Sequence, residues 1–111
     1  MESVSVIEHE VEYLTKLIKT IKDKDERDFY NDKVDSLKFK KDTIESNVGN
    51  GYVSPQSYIT TVTQYLAKTE KDLKAATASL GKGNKHTKRI EERVAIIKKE
   101  IKEMQEGLEG A

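Results

Sequence analysis

Two histidines could carry acid–base or metal chemistry in this chain, His9 and His86. His9 stands between Glu8 and Glu10, with Glu12 and Tyr13 close behind. A zinc site would need a second histidine or a carboxylate on the same helical face, and only Glu12 meets that spacing. One pair supplies too few ligands, so His9 is expected on a solvated surface. His86 lies among lysines, where a base is poorly placed, and is expected in an exposed loop. There is no cysteine, which excludes a thiolate zinc site, a disulfide framework and a cysteine nucleophile. No serine has a histidine and an acid at a recognisable motif spacing. Gly81-Lys82-Gly83 is too short for a phosphate loop and follows a helical pattern rather than a strand. The Glu-x-x-His pattern of metal centres in helical bundles does not occur. The chain is therefore read as non-enzymatic, with no catalytic, metal-binding or cofactor-binding residues and no cofactor.

Other residues point to recognition rather than reaction. Lys82, Lys85, Lys88 and Arg89 fall within eight residues, and no acid intervenes before Glu91. Such a tip could meet an acidic partner, a phosphate or an anionic lipid. A plainer account is that it neutralises the free carbonyls ending a neighbouring helix. Phe39 lies off the apolar stripe of its own segment, so it either packs against a second neighbour or is exposed as a partner-binding residue. Tyr58 and Tyr65, seven apart, are expected to widen a core seam with their hydroxyls reaching water.

Such residues need elements to hold them, and hydrophobic spacing supplies these. Val4, Ile7, Val11, Leu14, Ile18 and Ile21 recur at steps of three and four. So do Tyr30, Val34, Leu37, Lys41, Ile44 and Val48. A third run is Ile59, Val62, Leu66, Thr69, Leu73, Ala76 and Leu80, and a fourth is Ile90, Val94, Ile97, Ile101, Met104 and Leu108. A mean step near 3.5 keeps one stripe of a helix facing a partner helix, so the fold class is all-α. Lys41 and Thr69 interrupt their stripes and are read as register-setting polar positions.

Helix ends are legible too. Gly49-Asn50-Gly51 closes one helix, and Ser54 with Pro55 reads as an N-cap followed by proline at the first helical position. Val53 and Tyr58 take the positions of a hydrophobic staple. Gly81 closes the next helix and Asn84 can cap the last. The short connection implies an antiparallel hairpin of 55–80 with 85–108.

Residues 22–29 are ambiguous. They hold no glycine or proline, and Lys22–Glu26, Asp23–Arg27 and Lys24–Asp28 are opposite charges at i, i+4. Yet the stripe after them is shifted by two residues, about 200° around a helix. The missing breaker residues favour one long helix, 3–48, which with the hairpin forms a three-helix bundle or coiled coil. The alternative is a break near Asp23 to Asp25 and an antiparallel four-helix bundle. The long helix implies one helical domain, 1–111, with a bundle at 26–108 and a dimerising coiled-coil extension at 3–24. Its bare stripe of Val4, Ile7, Val11, Leu14, Leu17, Ile18 and Ile21 is the expected self-association surface.

Composition agrees with narrow helices. Of 111 residues, 36% are charged and 35% hydrophobic, and 20 Lys+Arg balance 20 Asp+Glu. That balance argues against nucleic-acid binding. No apolar run is long enough to span a membrane, and the missing cysteines fit a reducing, cytoplasmic setting. The expected function is a protein–protein interaction or scaffold module that forms a homodimer. The alternatives are a monomeric helical cochaperone or adaptor, and a peripheral anionic-lipid binder using Lys82, Lys85, Lys88 and Arg89.

Overall fold

A computed structural model describes residues 1–109. All regular structure among them is helical: α1 (Val4–Ile18), α2 (Lys24–Gly49), α3 (Pro55–Leu80) and α4 (Lys85–Glu109). The chain divides into two compact units, Ser3–Val53 and the part from Ser54 onward. Each unit is a pair of helices packed on one another, α1 with α2 and α3 with α4.

The long helix expected over 3–48 is not formed. It is interrupted between Ile18 and Lys24, near the alternative break point. The interruption needs no glycine or proline. After Ile18 the backbone tightens, with Thr20 N–H bonding the Leu17 carbonyl at 2.9 Å and Ile21 N–H the Ile18 carbonyl at 3.2 Å. The Thr20 hydroxyl donates to the same Leu17 carbonyl at 2.7 Å. Asp23 then turns extended and caps α2, its carboxylate accepting the Glu26 N–H at 2.9 Å. Asp23 and Glu26 have the spacing of a capping box, and Asp25 and Glu26 put negative charge in the first turn. What decides the matter is the phase change of the apolar stripe. A straight helix would have to present two faces about 200° apart, whereas a turn brings both onto one seam. Opposite charges at i, i+4 contribute only about 0.2–0.5 kcal/mol each, too little against that burial.

Other boundaries follow local chemistry. Ser3 caps α1, accepting the Val6 N–H at 3.2 Å. At the end of α2, Gly51 is the residue that enters the left-handed region, at φ 81°. Ser54 caps α3 by accepting the Ser57 N–H at 3.0 Å, with Pro55 in the first turn. Gly81 closes α3 at φ 86°, its N–H bonding the Thr77 carbonyl at 3.1 Å. Asn84 accepts the His86 N–H at 2.8 Å where α4 begins.

The second unit is antiparallel, because its cross-helix hydrogen bonds pair early α3 with late α4 and late α3 with early α4. Tyr58 pairs with Glu100, and the Thr87 hydroxyl reaches the Ala76 carbonyl at 3.5 Å. Its core is Tyr58, Ile59, Val62, Ala76, Ile90, Val94 and Ile97. Leu66, Leu73, Ile101 and Met104, all expected inside, are half-buried. Leu80, also expected inside, is 50% exposed, because it is the last residue of α3 and the chain turns away at Gly81.

In the first unit Val6, Ile7, Leu14 and Val34 are buried. Val6 falls outside the expected stripe. The buried face of α1 takes in Val6 with Ile7 and Leu14, while Val4, Val11 and Leu17 are all half-buried.

Candidate functional site

The expected self-association stripe lies on α1 and in the turn after it. Ile7 and Leu14 are buried within the chain, while Val4, Val11, Leu17, Ile18 and Ile21 are half-buried. The stripe is therefore not bare, as the long helix required. The turn at 19–23 folds α1 back on α2 and covers part of it.

Lys41 shows how the polar interruption of α2 is used. Its Nζ lies 3.3 Å from Glu8 Oε1 on α1 and 3.9 Å from Glu45 Oε1 on α2. The Glu8 hydrogen bond, then the Glu45 and Glu8 charges, hold this ammonium above its ordinary range, with desolvation opposing. The pair ties one point of α1 to one point of α2. Thr69, the other interruption, is buried and bonds its hydroxyl to the Tyr65 carbonyl at 2.8 Å. Burial pushes the Tyr65 phenol up, against the Arg93 charge and a Thr69 hydrogen bond.

Sequence reasoning missed Glu100. It sits on α4 at the edge of the core and is buried, with Oε1 accepting the Tyr58 hydroxyl at 3.1 Å. The available signal was its position three residues after Ile97 and seven after Arg93, on the flank of the stripe. Tyr58 was expected to reach water and instead reaches this carboxylate.

At the hairpin tip Lys82, Lys85 and Lys88 are exposed and Arg89 is half-buried. Lys82, Gly83, Lys88, Glu91, Glu92 and Ala95 line a shallow open depression there. The two glutamates place acid beside the expected basic cluster. His9 and His86 are both exposed. Among the described residues no group of three or more histidine, aspartate or glutamate side chains is arranged to hold a metal ion. No helix among them is long and apolar enough to cross a membrane.

The most exposed of the large apolar groups belong to α2 and its end. Phe29 is exposed, edge-on to Tyr30 with ring centroids 5.3 Å apart, and Lys33 Nζ sits 4.8 Å from the Phe29 centroid. Tyr52, beyond α2, is exposed as well. Phe39 is 74% exposed. At 100° per residue it lies about 180° from the Val34, Leu37 and Ile44 stripe. Of the two options the sequence left for it, the structure takes exposure. Comparisons with protein-family models, with curated proteins and with solved structures found no match to this chain.

Proposed function

We propose that this chain is a non-enzymatic helical interaction module, which acts by docking helix surfaces onto protein and associates with a second copy of itself. The observation that supports this is Phe39, a large aromatic 74% exposed on the outer face of α2. Burying such a side chain at an interface contributes about 1.5–3 kcal/mol, and nothing in its own unit covers it. Helices this charged need such isolated apolar groups to hold a protein partner, because exposed ion pairs alone contribute little.

Sedimentation equilibrium of the full chain tests the reading. In low salt the weight-average mass should rise with protein concentration and fall again on dilution. A single monomeric mass across the concentration range would overturn self-association.

A further inference from the structure

Asparagine followed by glycine is a chemically fragile pair, because the glycine nitrogen is uncrowded and can attack the side-chain amide before it. The chain holds four asparagines, Asn31, Asn47, Asn50 and Asn84, and only Asn50 precedes a glycine. Asn31 and Asn47 lie inside α2 and are followed by Asp32 and Val48, so helix geometry and a side chain both guard the next nitrogen. Asn84 precedes Lys85, and its side chain is engaged by the His86 N–H at 2.8 Å. Asn50 and Gly51 are both exposed. Gly51 sits at φ 81° with open space where a Cβ would stand.

A short set of hydrogen bonds closes the turn that holds this pair. Asn50 N–H donates to the Ser46 carbonyl at 2.8 Å, Gly51 N–H to the Val48 carbonyl at 3.2 Å and Val53 N–H to the Asn47 carbonyl at 3.0 Å. The Asn50 side-chain nitrogen donates to Ser46 Oγ at 3.2 Å. Asn50 has ψ −6°, which turns the Gly51 nitrogen towards the main-chain nitrogen of Asn50 and away from its Cγ. The last turn of α2 must therefore fray before the two atoms can meet. Gly49, Asn50, Gly51 and Tyr52 are all exposed, so no core group moves when it does. Helix ends of this kind open at little cost.

We infer that Asn50 is a site of spontaneous deamidation, gated by the last turn of α2. When the turn opens, the Gly51 nitrogen loses its proton and bonds to Asn50 Cγ. The Cγ–Nδ2 bond breaks and ammonia leaves. Water then opens the cyclic imide. Hydrolysis at Cγ gives aspartate, and hydrolysis at the main-chain carbonyl gives isoaspartate, whose main chain carries one extra methylene. No electrons are exchanged, and a neutral amide becomes a carboxylate, which lowers the net charge of zero by one. The new charge stands at the C-terminal end of α2, where the helix dipole disfavours an anion. Between Ser46 and Ala67 the sequence has no charged residue to offset it. Isoaspartate also shifts Gly51 and Val53 away from their carbonyl partners, so the modification loosens the connection that leads into α3.

Ageing the full chain at mildly alkaline pH, folded and in urea, provides the test. Mass spectrometry of tryptic peptides should find the exchange of NH2 for OH in the peptide 42–68, with fragment ions placing it on Asn50 rather than Asn47. An isoaspartate methyltransferase should label the same peptide. In the folded chain Asn50 should convert at least about tenfold faster than Asn31 or Asn47, whose following nitrogens are reached only by opening the helix interior. The rate at Asn50 should rise further in urea, where no turn restrains it. Asn50→Gln should remove the label, because glutamine closes only a larger, slower ring. Hydrogen exchange on the isoaspartate form should show protection lost at Gly51 and Val53 and kept in the middle of α2. Two results would overturn the inference: a folded chain unchanged at Asn50 over a period that converts it fully in urea, or equal conversion at all four asparagines. Protection retained at both amides would overturn the loosening of the connection. None of these readouts depends on whether the chain self-associates.

Discussion

The Tyr58 hydroxyl donates to Glu100 Oε1 at 3.1 Å, joining the first turn of α3 to α4 inside the second unit. Both residues are buried. A buried carboxylate is costly unless it is hydrogen-bonded, so the phenol does more here than fill space. Tyr58→Phe keeps the ring and removes this donor. It should destabilise the chain by about 1–3 kcal/mol. Glu100→Gln retains an acceptor and should cost less. Urea unfolding monitored by circular dichroism, with the slope unchanged, gives both values. A Tyr58→Phe variant as stable as the parent would mean that other partners of Glu100 suffice.

Depth within the α3–α4 hairpin should rank the cost of truncation. Ile97 is fully buried, and Ile97→Ala should cost about 2–5 kcal/mol. Leu73 is only half-buried, and Leu73→Ala should cost less than half as much. Val62, also fully buried on α3, should be more sensitive to Val62→Ala than Leu66, half-buried four residues on, is to Leu66→Ala. Thermal unfolding of the four variants side by side gives the order.

The deep end of this ranking was legible in the sequence, but Leu66 and Leu73 share the same spacing and were expected inside as well. Val62, Ile90, Val94 and Ile97 recur at helical spacing, and Ser54-Pro55, Gly81 and Asn84 mark helix ends by chemistry that acts over three or four residues. What failed was long-range. The turn after Ile18 carries no breaker, so only the phase shift between two stripes and the Asp23-to-Glu26 spacing announced it. Each signal was weaker than three favourable charge pairs appeared. The burial of Val6 and Glu100 depends on how far each helix rotates about its axis, and the stripes fix that rotation only coarsely. Phe39 was singled out because it broke its stripe.

Lys41 should show itself at alkaline pH. Its folded-state value is raised, chiefly by the Glu8 hydrogen bond. The ion pair therefore stabilises the fold fully below the unfolded lysine value of 10.5 and is lost as pH rises through the folded one. Lys41→Met should lower the thermal midpoint slightly at pH 7. The gap from the parent should narrow in high salt, because both carboxylates are half exposed or more. It should close altogether at pH well above 10.5. A gap that persists there would mean that the lysine stem, not its charge, supports the α1–α2 pair.

Leu14 and Ile18 separate a covered α1 from a free one. Leu14 is buried and Ile18 half-buried. On a bare dimerisation stripe, Leu14→Glu with Ile18→Glu would yield a stable monomer with α1 intact. In this structure the same change forces a charge into the α1–α2 seam, where an unpaired carboxylate is costly. The variant should lose the helicity of α1 and the hydrogen-exchange protection of its amides, with protection in α2 reduced as well. Retained protection over 4–18 would argue that α1 does not depend on its contact with α2.

Asp23 is the last residue that tests how the chain turns. Its carboxylate accepts the Glu26 N–H at 2.9 Å and opens α2, and its side chain is exposed, so nothing in a core depends on it. Asp23→Ala should destabilise the first unit by about 0.5–2 kcal/mol, the usual cost of losing an N-cap. Asp23→Asn keeps an accepting oxygen and should recover most of the loss. Alanine is also the best helix former, so the variant favours the competing continuous helix through residues 19–23. Two results are then distinguishable by far-UV circular dichroism and hydrogen exchange. If the phase shift of the stripes dictates the turn, helicity stays constant, stability drops and the amides of Lys22 and Asp23 remain unprotected. If the cap alone dictates it, helicity rises and those amides become protected as α1 and α2 fuse. The first outcome is expected, because fusing the helices would strip cover from Ile7 and Leu14, and each such side chain is worth about 1.5–3 kcal/mol. That exceeds what one alanine adds to a helix.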